Sequence, residues 1–147
     1  MLFAILKPTI LVGIDMRISK KTQYGLRALV YLANPRLKNK ICPLKKISED
    51  ENIPFNFLEK IFSKLEKANL INAKKGVQGG YFLAKKPEKI KIGEITEALE
   101  EKINLVKCFQ YYCPREKKCL TKNFWQKLDK AVNSALNSVT LANLIRK

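Results

Sequence analysis

Apolar positions along this chain fall into a succession of short helical stripes, broken once by a pair of strand-like runs. Over residues 20–33, Leu26, Leu29, Val30 and Ala33 stand at i, i+3, i+4 and i+7, which predicts one helix with an apolar face, ended by Asn34-Pro35. A basic loop follows over 35–43. Leu44 to Glu51 predicts a short helix with Leu44 and Ile47 inward, and Asn52-Ile53-Pro54 predicts the turn after it, since Asn tolerates the left-handed backbone that follows a helix. Residues 55–68 predict a stronger helix. Its buried stripe is Leu58, Ile61, Phe62 and Leu65, and Asn56, Glu59, Lys60, Ser63, Lys64 and Lys67 lie outside that stripe.

Leu70 to Ala84 changes period. Two β-prone runs flank a tip holding Gly76, Gly79 and Gly80, three of the six glycines of the chain. This predicts a hairpin whose backbone can approach a phosphate closely. Ile92 to Glu101 predicts another amphipathic helix, with Ile92, Ile95 and Leu99 inward. Residues 121–138 predict the longest helix, about 27 Å, on which Trp125, Leu128, Val132, Ala135 and Val139 step by threes and fours, widened by Phe124, Ala131 and Leu136. Residues 140–146 predict a terminal helical turn. The fold class is therefore mainly α with a small β-hairpin. Two helices joined by a tight turn, then a hairpin, make a helix-turn-helix with a wing, and a long C-terminal helix stands ready for dimerisation.

Charge sharpens the picture. The chain has 147 residues, enough for one compact domain with a dimerisation arm. It carries 29 Lys and Arg against 13 Asp and Glu, a net charge of +16 that favours a polyanionic partner, most simply double-stranded DNA. Asn56, Glu59, Lys60, Ser63 and Lys64 on the second helix of the motif are candidate DNA contacts, with Lys74, Lys75 and Gln78 on the wing. Lys60 and Lys64 suit phosphates, Asn56 can bond adenine, and Glu59 can accept from cytosine N4. The bland alternative is a solvated helix face; the wing beside it favours DNA.

The first fifteen residues, apolar but interrupted by Lys7 and Pro8, are too short a run to span a bilayer and lack the order of a signal peptide. Met16-Arg17-Ile18-Ser19 reads as a second start, so residues 1–15 are expected to be a non-native extension. No membrane partner is expected. The remaining boundaries read as 16–101 for the DNA-binding domain, 102–119 for a cysteine loop, and 120–147 for the dimerisation helix and C-terminal turn, with the homodimer formed through 121–139.

Candidate chemistry concentrates in that loop. Cys108, Cys113 and Cys119 are spaced C-x4-C-x5-C, and the absence of histidine excludes His-based acid–base catalysis and His-ligated metal. No nucleophile–base pair suggests itself apart from Lys or carboxylates, so no enzyme is expected. Clustered cysteines without a secretion signal suit a reducing cytoplasm, where they bind soft metals or iron–sulfur clusters more often than they form disulfides. Zinc, a thiol redox switch and a degenerate site are the alternatives, the switch helped by Lys107, Arg115, Lys117 and Lys118, which can lower thiol pKa values. Cys42, alone before Pro43, reads as a small packing residue.

The order of these parts resembles the IscR/NsrR/CymR (Rrf-type) superfamily of bacterial winged-helix transcription regulators. The resemblance rests on Met16 to Leu29, Ile53-Pro54, Phe57 to Leu65, the wing Lys75 to Ala84, Cys119-Leu120-Thr121 and Val139 to Leu144, nearly everything from residue 16 onward. It implies homodimers on pseudo-palindromic promoter DNA. It also implies a 2Fe–2S or 4Fe–4S cluster on Cys108, Cys113 and Cys119, whose state reports redox, nitric oxide or Fe–S status. Two departures concern the fourth ligand. Lys122 stands where the Fe–S-assembly branch has His, and Gln23 stands where the nitric-oxide-sensing branch has Asp. The first cysteine gap is four residues where five is usual. A cluster-free regulator using a thiol switch or partner protein, and a small Fe–S electron-transfer protein, are the rival readings.

Overall fold

The structure, a computed structural model, describes residues 18–37, 40–100, 105–106, 108 and 111–146. The proposed extension and second start at 1–17, together with Glu101 and Lys107, lie outside the described residues. Helix α1 spans Lys20–Ala33, α2 Leu44–Asp50 and α3 Phe55–Lys67. Strands β1, Ile71–Lys74, and β2, Gly80–Leu83, pair antiparallel with Ile71 opposite Leu83 and Lys74 opposite Gly80. Helix α4 spans Ile92–Leu99, α5 Lys122–Ser138 and α6 Leu141–Ile145. The fold is thus mainly helical with one hairpin, as expected, and among the described residues no helix is long and apolar enough to cross a membrane.

The stripe expected on α3 is the stripe observed: Leu58, Ile61, Phe62 and Leu65 are all fully buried. Asn52 takes φ 51°, the left-handed turn between α2 and α3. On α1 the face is rotated from the expected one. Leu26 and Val30 are only half-buried, and Thr22, Gly25, Ala28, Leu29, Leu32 and Ala33 face the core. The reason is Gly25. A Cβ there would collide with the Leu99 side chain and crowd Ile61, so α1 turns its smallest residues toward α3 and α4 to approach them closely. Helix α4 is shorter than expected: it ends at Leu99, with Glu100 extended at its C-cap. Ile95, Thr96 and Leu99 are buried there, while Ile92 is half-buried.

Two long-range backbone pairings complete the fold. Cys42 donates to the Tyr81 carbonyl at 2.9 Å and accepts from its N–H at 2.8 Å, adding a third short rung to the hairpin. Gly80 permits this, because a Cβ would meet the Cys42 backbone. Cys42 itself is 4% exposed in the core, the packing residue expected. At the other end Ile92 donates to Val139 and Leu141 to Ile90, at 2.9 and 2.8 Å. These bonds bring α6 down onto α1, with Leu141 and Ala142 buried.

Candidate nucleic-acid interface and cysteine site

Helix α3 exists because its apolar stripe has a core to enter, and burying that stripe leaves the opposite face outward. Asn56, Glu59, Lys60, Ser63 and Lys64 are all exposed on it. Lys74, Lys75 and Gln78 are exposed on the hairpin. The hairpin is held to the helix by Phe62, whose ring meets Tyr81 edge-on at 4.9 Å. Its tip turns through Gly76 at φ 113°, and Gly79 donates to the Gly76 carbonyl at 3.0 Å. The eight residues named from the sequence therefore occupy one helix face and the adjoining wing.

The turn before α3 is braced by contacts invisible to periodicity. Arg27 of α1 pairs with Glu51 at 3.1 Å and also donates to its backbone carbonyl. The Tyr31 hydroxyl donates to Asp50 at 2.6 Å, and Lys46 donates to the same oxygen at 2.9 Å. Tyr31 first and Lys46 next hold the Asp50 carboxyl below its ordinary value, and burial with that same hydrogen bond pushes the Tyr31 phenol up.

The cysteines share one wall. Cys108, Cys113 and Cys119 line a cavity of about 320 Å³ together with Glu116, Lys122 and Gln126. Lys122 pairs with Glu116 at 2.7 Å, which holds that carboxyl down. The Cys119 sulfur lies 3.4 Å from the Thr121 hydroxyl. That hydrogen bond first, then the Thr121 and Lys122 backbone and the Lys122 charge, lower the Cys119 thiol. The helpers are thus Thr121 and Lys122 at the start of α5, rather than the Arg115, Lys117 and Lys118 expected. The side chains are not drawn together: among the described residues no three Cys, Asp or Glu converge closely enough to hold a metal ion. Gln23 is also accounted for locally, donating to the Ile18 carbonyl at 2.8 Å.

A residue that sequence reasoning missed ties the C-terminal end of α4 to the start of α1. Glu100 directly follows α4, and its Oε1 accepts from the Ser19 N–H at 3.0 Å, the Ser19 hydroxyl at 2.5 Å and the Thr22 hydroxyl at 2.6 Å. Burial opposes the charged form, but these donors win and hold the Glu100 carboxyl below its usual range. A carboxylate depressed in the folded state stabilises above its unfolded pKa, and that contribution is lost as pH falls through the folded value. Glu100→Gln is therefore expected to cost about 1.5–3 kcal/mol at neutral pH, the worth of hydrogen bonds to a charged group. Wild type and variant should converge only once the pH falls below the depressed folded-state value; thermal melts at neutral pH and through the acid range check it, and an unchanged gap would refute the charge argument.

Helix α5 is amphipathic, but none of its residues is buried. Trp125, Leu128, Val132 and Leu136 are half-buried, Phe124 is 58% exposed, and Leu120 just before the helix is 99% exposed.

Comparison with known proteins places these features. Residues 18–147 match the family profile of Rrf2, described as an iron-dependent transcriptional regulator. The chain is 33% identical over 132 residues to the HTH-type transcriptional regulator IscR of Vibrio atlanticus, covering 89% of this chain and 76% of IscR. It is 36% identical over 133 residues to protein rrf2 of Nitratidesulfovibrio vulgaris, covering 89% and 88%. The solved structure of CymR, the global cysteine regulator of B. subtilis, superposes with a TM-score of 0.74 at 31% identity, covering 88% of this chain and 96% of that one. IscR and CymR are named as regulators, in line with the expectation of a transcription regulator. On the strength of that full-length match, and of the helix-turn-helix and wing it spans, the chain belongs to the Rrf2 family of DNA-binding transcriptional regulators.

Proposed function

We propose that this chain is a homodimeric cytoplasmic regulator that reads operator DNA with α3 and the wing, and whose affinity is set by an iron–sulfur cluster on Cys108, Cys113 and Cys119. The observation that carries the reading is the shared cavity: three thiols and the Lys122 cation line one space next to the helix that would join two subunits. The donor chemistry suits the group, soft sulfur being what such clusters take, and holding it requires the three thiols to draw together from their described positions. When bound, such a cluster supplies a centre whose oxidation state or loss reports on the cell. Similarity to IscR supports the same reading.

The chain's own residues supply the route by which a change at the loop reaches DNA. Ordering of the cysteine loop bears on Glu100, which grips the first turn of α1. Helices α1 and α4 both pack on α3. A coupling of about 1–3 kcal/mol along this route would change operator affinity by about 5–150-fold. Equal operator affinity of iron-loaded and iron-free protein would rule the coupling out while leaving DNA binding intact.

DNA contact has its own test. Lys75→Ala is expected to weaken binding to all sequences alike and to lower the salt slope by about one per protomer. Glu59→Ala is expected instead to relax the preference at one base pair, at a cost of about 1–3 kcal/mol of discrimination. Fluorescence anisotropy across a salt series and an operator panel separates the two. A uniform loss from Glu59→Ala, or a sequence-specific one from Lys75→Ala, would reverse the assignment.

A second reading is a thiol switch without a cluster. The lowered Cys119 thiol favours it, since the thiolate is the reactive form. Metal analysis distinguishes the two: iron with inorganic sulfide supports the cluster, and protein free of both supports the switch.

A further inference from the structure

We propose that Phe55 reads the methyl group of a thymine in the major groove, making it a specificity residue of α3 alongside its polar side chains. This rests on the DNA-binding role of α3. Phe55 is the first residue of α3, set by Pro54 at the N-cap. It is 43% exposed, and among the described residues it joins neither the core nor any ring pair. Its neighbour Phe57 has the opposite fate, packed edge-on against Tyr24 at 5.8 Å and 82°. Two phenylalanines two positions apart thus divide into one that supports the helix and one that leaves the protein.

The surroundings of Phe55 identify its partner. Asn56 follows it, and Glu59 lies one turn on, with Lys60, Ser63 and Lys64 beyond, all exposed. A lone apolar ring at the edge of a polar, cationic face is a poor protein-docking patch, since such patches are contiguous. Among the described residues the other exposed large apolar groups lie off α3: Val77 at the wing tip, and the rest before α1, in the cysteine loop, at the start of α5 or on α6. When a helix of this motif enters the major groove, its N-terminal residues meet the base edges. The one apolar group displayed there is the thymine C5 methyl, and Phe is among the side chains that contact it.

The test pairs a protein change with a DNA change. An operator is first selected from random-sequence DNA with the full-length protein. Each thymine of a half-site is then replaced in turn by uracil, which removes only the methyl group. Wild type is expected to lose about fourfold in affinity at one thymine position, the effect of one buried methyl. Phe55→Ala should bind more weakly, be indifferent to uracil at that position and unfold at the wild-type temperature, because the ring supports no core. Phe55→Leu should restore part of the thymine preference. Indifference of the wild type to uracil everywhere, or the same penalty in Phe55→Ala, would overturn the proposal. Failure to select any operator would overturn the DNA-binding role of α3 itself, a separate result.

Discussion

Protein purified without oxygen is expected to carry iron and inorganic sulfide with visible absorbance, and Cys108→Ala, Cys113→Ala and Cys119→Ala are each expected to lose nearly all of both. The argument is one of ligand number. Three thiols line the same cavity, and among the described residues the other side chains there are Glu116, Lys122 and Gln126. Lys122, protonated and paired with Glu116, offers no lone pair in place of a lost sulfur. Removing one thiol leaves two, too few for the thiolate cages that hold such clusters. Cys42→Ala is the control: it lies buried in the helix–wing core, bridged to Tyr81, and should leave the iron content unchanged. Iron retained in any loop variant would remove that cysteine from the site. Zinc without iron in the wild type would remove the cluster altogether.

Leu128→Glu and Val132→Glu are each expected to turn a dimer into a monomer at micromolar concentration and to weaken operator binding at least about 100-fold. Both residues sit half-buried on a helix that hides none of its side chains within the protomer. Its apolar stripe runs from Trp125 to Leu136 on a helix of 17 residues, about 25 Å long. A second copy related by a two-fold axis presents the same stripe, and a charge at its centre places two carboxylates in the seam. Two linked half-sites gain about 10²–10⁴ over one by effective concentration, which the monomer forfeits. The isolated fold should lose only modest thermal stability, since each side chain is half-covered rather than buried within its own protomer. Sedimentation and anisotropy together decide it. A wild type already monomeric would end the dimer reading.

Periodicity made part of this fold legible and hid another part for a definite reason. Helix α3 was readable because large apolar residues at Leu58, Ile61, Phe62 and Leu65 mark their own face. Helix α1 was phased only in part, with Leu29 and Ala33 buried as expected, because Gly25 adds little to an apolar pattern and matters through the space it leaves to Leu99. The rung between Cys42 and Tyr81 is a backbone pairing, and backbone hydrogen bonds leave no residue signature. Thr121 and Lys122 were read only as a family motif and a failed ligand. That they tune Cys119 follows from the position of the α5 N-terminus.

Local order, the class of the fold, the outward face of α3, the basic wing and the grouping of three cysteines were all determined by residues near one another in the chain, because side-chain period and turn chemistry act over a few positions. The union of the α4 end with the start of α1 was decided only in three dimensions. Ser19 and Glu100 are 81 residues apart, and nothing in either local sequence selects the other. Packing of α1 against α4 brings them together, and a half-buried carboxylate with three donors is then the arrangement that satisfies its charge.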